Sequence, residues 1–328
     1  MDIVQDYLRQ GYDYYLWTLS FSDKRVERWG LMSSPLYTAA LTLAYLFLVW
    51  AGPRFMQRRR PLQLRAVLVG YNFAMMLLNL YVMVEVLDAS TRLGYSYICQ
   101  PVNYSKNYHE MKIARALWWY YISKGIEFFD TFFFILRKKN SQITFLHVYH
   151  HSTMFCLWWI GIKWVAGGSA FYGAMVNSFI HVLMYSYYCL AALGPSFQRF
   201  LWWKKYLTIL QLVQFCMGIG HGFIGLYVHC PFPKWMHYTL ICYAFSFIVL
   251  FGNFYRHTYR ARNGAKKPQE SESSANGTVC NGHLAKDSRI SNGITSSSTT
   301  EIRSATNGVS LAKNAQGWPL RRKGRREN

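Results

Sequence analysis

The chain has 328 residues, 52% of them hydrophobic and 18% aromatic, with a formal charge of +21 and a mean hydropathy of only +0.01. That mean averages two populations: an apolar, aromatic stretch running to about Tyr259, and a segment of Ser, Asn, Gly, Lys and Arg from Arg262 to Asn328. The basic residues separate apolar segments and crowd the tail instead of forming a stripe on a soluble face, which argues against a nucleic-acid partner and for a lipid bilayer and a polyanionic substrate.

In chain order, residues 1–33 begin MDIVQDYLRQ, too acidic and polar for a cleaved signal peptide, and end in the turn signal Ser33-Ser34-Pro35. They are expected to form a lumenal N-terminal segment. Apolar stretches follow at 36–50, 66–87, 170–193, 206–228 and 238–254, each near the ~20 residues that cross a bilayer. Two more, 113–136 and 143–164, have the right length but carry ionisable groups. Counting both, the expected fold is all-α and multi-pass, with seven transmembrane helices filling residues 34–260.

The loops support that count. Arg54, Arg58, Arg59, Arg60 and Arg65 follow the first span, and Arg137, Lys138 and Lys139 the third. Arg199, Lys204 and Lys205 follow the fifth, and Arg256, Arg260 and Arg262 the seventh. The intervening loops are poorer in cations, so the N-terminus is expected in the lumen and the tail, 261–328, in the cytosol. The tail cannot bury a core and is expected to be disordered. No internal repeat is evident, which weakens a transporter reading.

The seven cysteines include no CxxC pair. Cys156, Cys189, Cys216 and Cys242 lie in apolar segments and read as small buried residues. Cys99 and Cys230 fall in the second–third and sixth–seventh loops, on the oxidising side of this topology, and are expected to form a disulfide. The sequon Asn103-Tyr104-Ser105 shares that side and is an expected glycosylation site, whereas Asn276-Gly277-Thr278 lies in the cytosolic tail.

Ionisable residues at bilayer depth cost about 2.5–3.5 kcal/mol each on insertion scales, so they mark function. Here they come at helical spacing. Lys124, Glu127 and Thr131 share a face, with Asp130 beside them; His147, His150 and His151 form an HxxHH box. Asn177, His181 and Tyr185 are four residues apart, and Gln211, Gln214 and His221 line another span. Polar stripes of this kind can also serve as hydrogen-bond glue between helices. His229, His237 and His257 sit at span ends and read as interfacial.

The box has two physical uses. Three imidazoles can converge on a metal, although di-iron sites need more histidines than one box with His181 and His221 supplies. Alternatively, a buried neutral imidazole can act as a nucleophile or base, oriented by Glu127 or Asp130.

The motifs Lys-x-x-Glu-x-x-Asp-Thr (Lys124 to Thr131), Leu-Arg-Lys-Lys (Leu136 to Lys139), His-Val-Tyr-His-His (His147 to His151), Asn-x-x-x-His-x-x-Met-Tyr-x-Tyr-Tyr (Asn177 to Tyr188) and Thr-x-x-Gln-x-x-Gln-Phe (Thr208 to Phe215) occur in one chain, in order. Together they resemble the family that elongates very long chain fatty acids, the ELOVL family, over about residues 15–260. Tyr149 within the box resembles the polyunsaturated-chain branch. The stretches TFLHVYHHSTMFCLWWIGIKWVAGG from Thr144 and CPFPKWMH from Cys230 most resemble the fourth vertebrate type. The arginine-rich end, Arg321 to Asn328, departs from the lysine-based endoplasmic-reticulum retrieval signal of that branch.

The resemblance implies condensation of a long or very long acyl-CoA with malonyl-CoA to 3-oxoacyl-CoA, CoA and CO2, with no metal or redox cofactor. Given that chemistry, His150 is the expected nucleophile, with His181 and His151 as stabilisers of enolate or oxyanion and Asn177 assisting. His147 and Asp130 are assigned to orientation, and Lys124 with Glu127 to a buried pair. The choice among the box histidines, and between covalent and concerted attack, stays open at this point. An apolar tunnel is expected to hold the acyl chain. Arg137, Lys138, Lys139, Lys204, Lys205, Arg256 and Arg260 are the candidate phosphate contacts for CoA. The family further implies the reductase, dehydratase and enoyl reductase of the elongation cycle as partners, and a homo-oligomer.

Overall fold

A computed structural model describes residues 2–257, and among these all regular structure is helical. Arg260, Arg262, the Asn276 sequon and the expected tail lie outside the described residues.

Helix α1 runs Asp2–Ser20, where only a polar and aromatic segment was expected. Helix α2 (Pro35–Met56) starts where Ser33-Ser34-Pro35 predicts: the Ser34 side chain accepts from the Leu36 N–H at 3.2 Å, and Pro35 takes a first-turn position that needs no donor. Helix α3 is Arg65–Arg92. The expected third span is two helices, α4 (Tyr108–Ile126) and α5 (Phe128–Leu136), meeting at Glu127. This corrects the continuous helix read from 113–136. The Glu127 N–H still bonds the Ser123 carbonyl, but its own carbonyl accepts from the Asp130 N–H in a tight three-residue turn.

Helix α6 (Phe145–Trp164) is capped by Thr144, whose side chain accepts from the His147 N–H at 3.2 Å. Then come α7 (Ala170–Ala192), α8 (Lys204–Tyr227) and α9 (Lys234–Tyr255). Four helices, α2, α3, α8 and α9, are long and apolar enough to cross a membrane by length and composition. Helices α4 to α7 carry polar stripes, and α8 adds Gln211, Gln214 and His221.

The core is centred on α4: Ile113, Leu117 and Tyr121 pack against Val82 and Val86 of α3, Phe155 and Trp159 of α6, and Phe171 of α7. Tyr121 and Phe155 stack with ring centroids 4.9 Å apart. Gly125 makes room for this contact, since a Cβ there would lie 2.9 Å from the Phe155 ring.

Outside the core, Leu36, Leu43, Phe47, Phe73, Phe223, Phe245 and Val249 are exposed, an apolar exterior that suits hydrocarbon and not water. Two of the cysteines read as buried belong to that exterior: Cys216 and Cys242 are exposed, and Cys156 and Cys189 half-buried. In a bilayer an apolar position faces lipid as readily as core, so apolarity alone does not imply burial.

At one end of the bundle, Cys99 and Cys230 are joined by a disulfide across 131 residues. The same loop layer is tied by Ser169, which accepts from the Gln100 N–H at 2.9 Å, and by Arg25, which bonds Asp23 and donates to the carbonyls of Asn103 and Ala166. Asn103 itself is exposed, its side-chain oxygen accepting from the Ser105 N–H at 3.0 Å.

Candidate active site

The polar stripes of α4 to α7 converge. Lys124 and Glu127, three residues apart, are both about 1% exposed, and the Lys124 ammonium donates to Glu127 Oε1 at 2.8 Å. The same oxygen lies 3.1 Å from His181 Nδ1, close but off line for a hydrogen bond. His151 Nδ1 faces the other carboxylate oxygen at 3.9 Å. Glu127 therefore sits between α4, α6 and α7 as their shared anion. A buried carboxylate is costly unless paired, and here one ammonium and two imidazoles surround it.

The three box histidines take different surroundings. His147 Nε2 shares a 2.7 Å hydrogen bond with Thr131 Oγ1, which is also 3.1 Å from the Tyr45 hydroxyl. His151 is buried between the His147 ring, 4.3 Å away, and Glu127. His150 is the one on the cavity side. It lines a cavity of about 180 Å³ together with His181, Asn177 and Tyr120, and its ring lies 6.5 Å from that of His181.

The cavity wall is otherwise mostly apolar: Met154 and Trp158 from α6, Phe215 from α8, Tyr243 and Phe247 from α9. Its Phe232 side reaches the disulfide-bridged loop layer, where Phe232 packs with Cys230. Asn177 is fixed on the wall. Its carbonyl oxygen accepts from the Tyr120 hydroxyl at 2.6 Å and from Lys124 at 3.3 Å, and its amide donates to Gln214 at 3.4 Å.

Other candidates fall elsewhere. Asp130 touches no box histidine; its carboxylate accepts from the Tyr185 hydroxyl at 2.9 Å, so Glu127 is the carboxylate beside the imidazoles. His237 is not interfacial: it is 2% exposed, lines the cavity and lies against Gly225, where a Cβ would come within 2.3 Å of its ring. A histidine near a helix start reads as interfacial from sequence, and only the α8–α9 packing shows otherwise. Tyr120 was missed altogether, because a tyrosine in an apolar helix carries no signal separating a cavity hydroxyl from core.

The candidate phosphate contacts stay away from the cavity. Arg137, Lys138 and Lys139 follow α5, Lys204 and Lys205 open α8, and Arg256 follows α9. Lys138 is already engaged, donating to the Gln57 carbonyl at 2.9 Å. His150 is five residues into α6, about 8 Å of rise from its start, and Lys139 lies just before that start in the chain.

Among the described residues, Glu127, His150 and His151 are one group whose ligand atoms come within 4.8 Å of one another. Three ligands fall short of a closed tetrahedral site, and the Lys124 ammonium already occupies one Glu127 oxygen.

A family model described as ELO, the GNS1/SUR4 family, matches residues 30–267. The chain belongs to this family. It is 58% identical to very long chain fatty acid elongase 4 of Homo sapiens over 282 residues, 86% of this chain and 89% of that one. The mouse (Mus musculus) protein of the same name is 57% identical, again over 86% of this chain and 89% of its own. Very long chain fatty acid elongase 5 of Xenopus tropicalis is 45% identical over 85% of this chain and 93% of its own. Family membership at this identity makes the chain an enzyme of fatty acid elongation, of the condensing type.

Proposed function

We propose that the protein is a 3-oxoacyl-CoA synthase that joins a long or very long, polyunsaturated acyl-CoA to malonyl-CoA through an acyl-imidazole on His150. The observation that carries the choice of nucleophile is that His150, alone among the three box histidines, lines the cavity, and does so with His181 and Asn177.

In this reading His150 attacks the thioester carbonyl, the C–S bond breaks, and CoA leaves as the thiol with the proton that the imidazole gives up. Malonyl-CoA then loses CO2, and the electrons of the broken C–C bond form an enolate. The enolate carbon attacks the acyl-imidazole, the C–N bond breaks, and His150 leaves as imidazolate and takes up the one proton that the overall reaction consumes from solvent, giving 3-oxoacyl-CoA. Neither step needs an electron acceptor. His181 and Asn177 supply donors for the negative charge as it forms. Glu127 holds His181 and His151 in place, and His147 is braced by Thr131. The apolar wall keeps water from an intermediate that water would hydrolyse.

The same reading places seven spans, α2, α3, α4 with α5, α6, α7, α8 and α9, in the endoplasmic-reticulum membrane. The N-terminus and the disulfide-bridged loops lie in the lumen, Asn103 is glycosylated, and the tail is cytosolic. The acyl chain occupies the cavity as a tunnel, and Arg137, Lys138, Lys139, Lys204, Lys205, Arg256 and Arg260 meet the CoA phosphates. Other elongation-cycle enzymes and a second copy are the proposed partners.

The test is malonyl-dependent product formation by purified protein and its His150→Ala variant, with intact-mass analysis of wild type given acyl-CoA alone. An acyl adduct on wild type, absent from an inactive variant, supports the scheme. Product from His150→Ala overturns the nucleophile, and no product from folded wild type with any acyl-CoA overturns the condensing reaction.

A further inference from the structure

We propose that α1 is an interfacial anchor, lying along the bilayer surface at the disulfide-bridged end with its tyrosine-rich face in the lipid. Val4, Tyr7, Leu8, Tyr14, Tyr15 and Leu19 fall on one side of the helix; Gln5, Asp6, Arg9, Gln10 and Asp13 fall on the other, joined only near the base by Leu16 and Trp17. Tyr7, Leu8 and Tyr14 are 70%, 69% and 66% exposed. An apolar face this exposed needs a cover.

What covers it follows from where α1 is fastened. The Trp164 indole donates to the Thr18 carbonyl at 2.8 Å, the Asp23 N–H to the Lys163 carbonyl at 2.9 Å, and Arg25 to the Ala166 carbonyl at 3.0 Å. All three acceptor or donor partners lie at or just past the end of α6. Under the proposed seven-span reading, on which this inference rests, α6 is a span, so the base of α1 is held at the membrane–water boundary.

Standing upright from that level, a helix of about 28 Å would carry its tyrosines into water. Lying flat, it places them at headgroup depth, where Tyr and Trp partition best. The apolar exterior of α2 and α3 continues into the same lipid. The polar side carries Asp6 and Asp13 against Arg9, so attraction to anionic headgroups contributes little and the apolar face must hold the helix down.

The test uses the full chain in nanodiscs of zwitterionic lipid at one copy per disc, with Cys156, Cys189, Cys216, Cys242 and Cys280 replaced by Ala. An environment-sensitive fluorophore is placed through Leu8→Cys or Asp6→Cys. The expected result is a blue-shifted position-8 label, quenched several-fold more by lipid-borne than by aqueous quencher, with the reverse at position 6 and no change in 1 M salt. Aqueous quenching at both positions overturns the proposal, as does a position-8 label shielded from both quenchers, which would mean a protein-covered face. Elongation activity of the labelled chains reports that the bundle is intact.

Discussion

His181 Nδ1 and the Lys124 ammonium meet at one oxygen, Glu127 Oε1, at 3.1 and 2.8 Å. One carboxylate thus lies against the cavity histidine on α7 and neutralises the buried lysine on α4. Glu127→Gln keeps the shape and removes the charge, leaving Lys124 unpaired in the interior. The expected loss is about 3–5 kcal/mol of stability, read as a large fall in the detergent-solubilised melting temperature. The double variant Lys124→Met/Glu127→Gln should regain much of that stability while product formation stays low. If it regains activity as well, Glu127 has no part in holding His181 for the reaction.

Thr131 offers a milder test. Its hydroxyl lies between His147 and Tyr45, so Thr131→Val strips both of a partner at a cost of about 1–3 kcal/mol. Activity should fall in part, and acyl-adduct formation on wild-type His150 should persist at a reduced rate. Complete loss of the adduct in a folded variant would mean that His147, not His150, carries the acyl group.

The grouping of Glu127, His150 and His151 invites a metal, and the competing Lys124 contact argues against one. Elongation by purified protein is expected to survive chelation, with no stoichiometric transition metal on elemental analysis. Activity that disappears with chelator and returns with one added metal would reverse this assignment.

Much of the candidate site was legible because an apolar setting makes polar residues conspicuous. Lys124, Glu127, His150, Asn177 and His181 stand out from apolar neighbours at helical spacing, and the structure brings all five together. What was not legible depends on packing between helices. Nothing in the local pattern shows that the chain turns at Glu127, that Asp130 pairs with Tyr185, or that His237 is buried against Gly225. The amphipathic face of α1 was present in the residues, but polar and aromatic content without a long apolar run did not read as a helix. Cys216 and Cys242 mark the converse limit, since hydropathy does not distinguish a lipid-facing side from a core-facing one.

The loop layer beneath the cavity yields two stability tests. Cys99→Ser removes the 131-residue cross-link and should lower stability by about 2–4 kcal/mol, matching the effect of reductant on wild type. Gly168 has a φ of +54°, and a Cβ there would lie 2.9 Å from the Gln100 carbonyl oxygen. Gly168→Ala should therefore cost about 1–2 kcal/mol from the backbone alone, and more from the clash. Unchanged melting temperatures would mean that this layer moves freely relative to the helices.

His150 lies five residues from the start of α6, the helix that follows the basic run Arg137, Lys138 and Lys139 in the chain. Under the proposed reading, depth sorts the substrate by solubility. The nucleotide carriers dock and depart through one aqueous doorway, and only hydrocarbon is admitted below it. Successive rounds then need no flip of a charged headgroup across the bilayer, and the next enzyme of the cycle can collect its substrate at the same threshold.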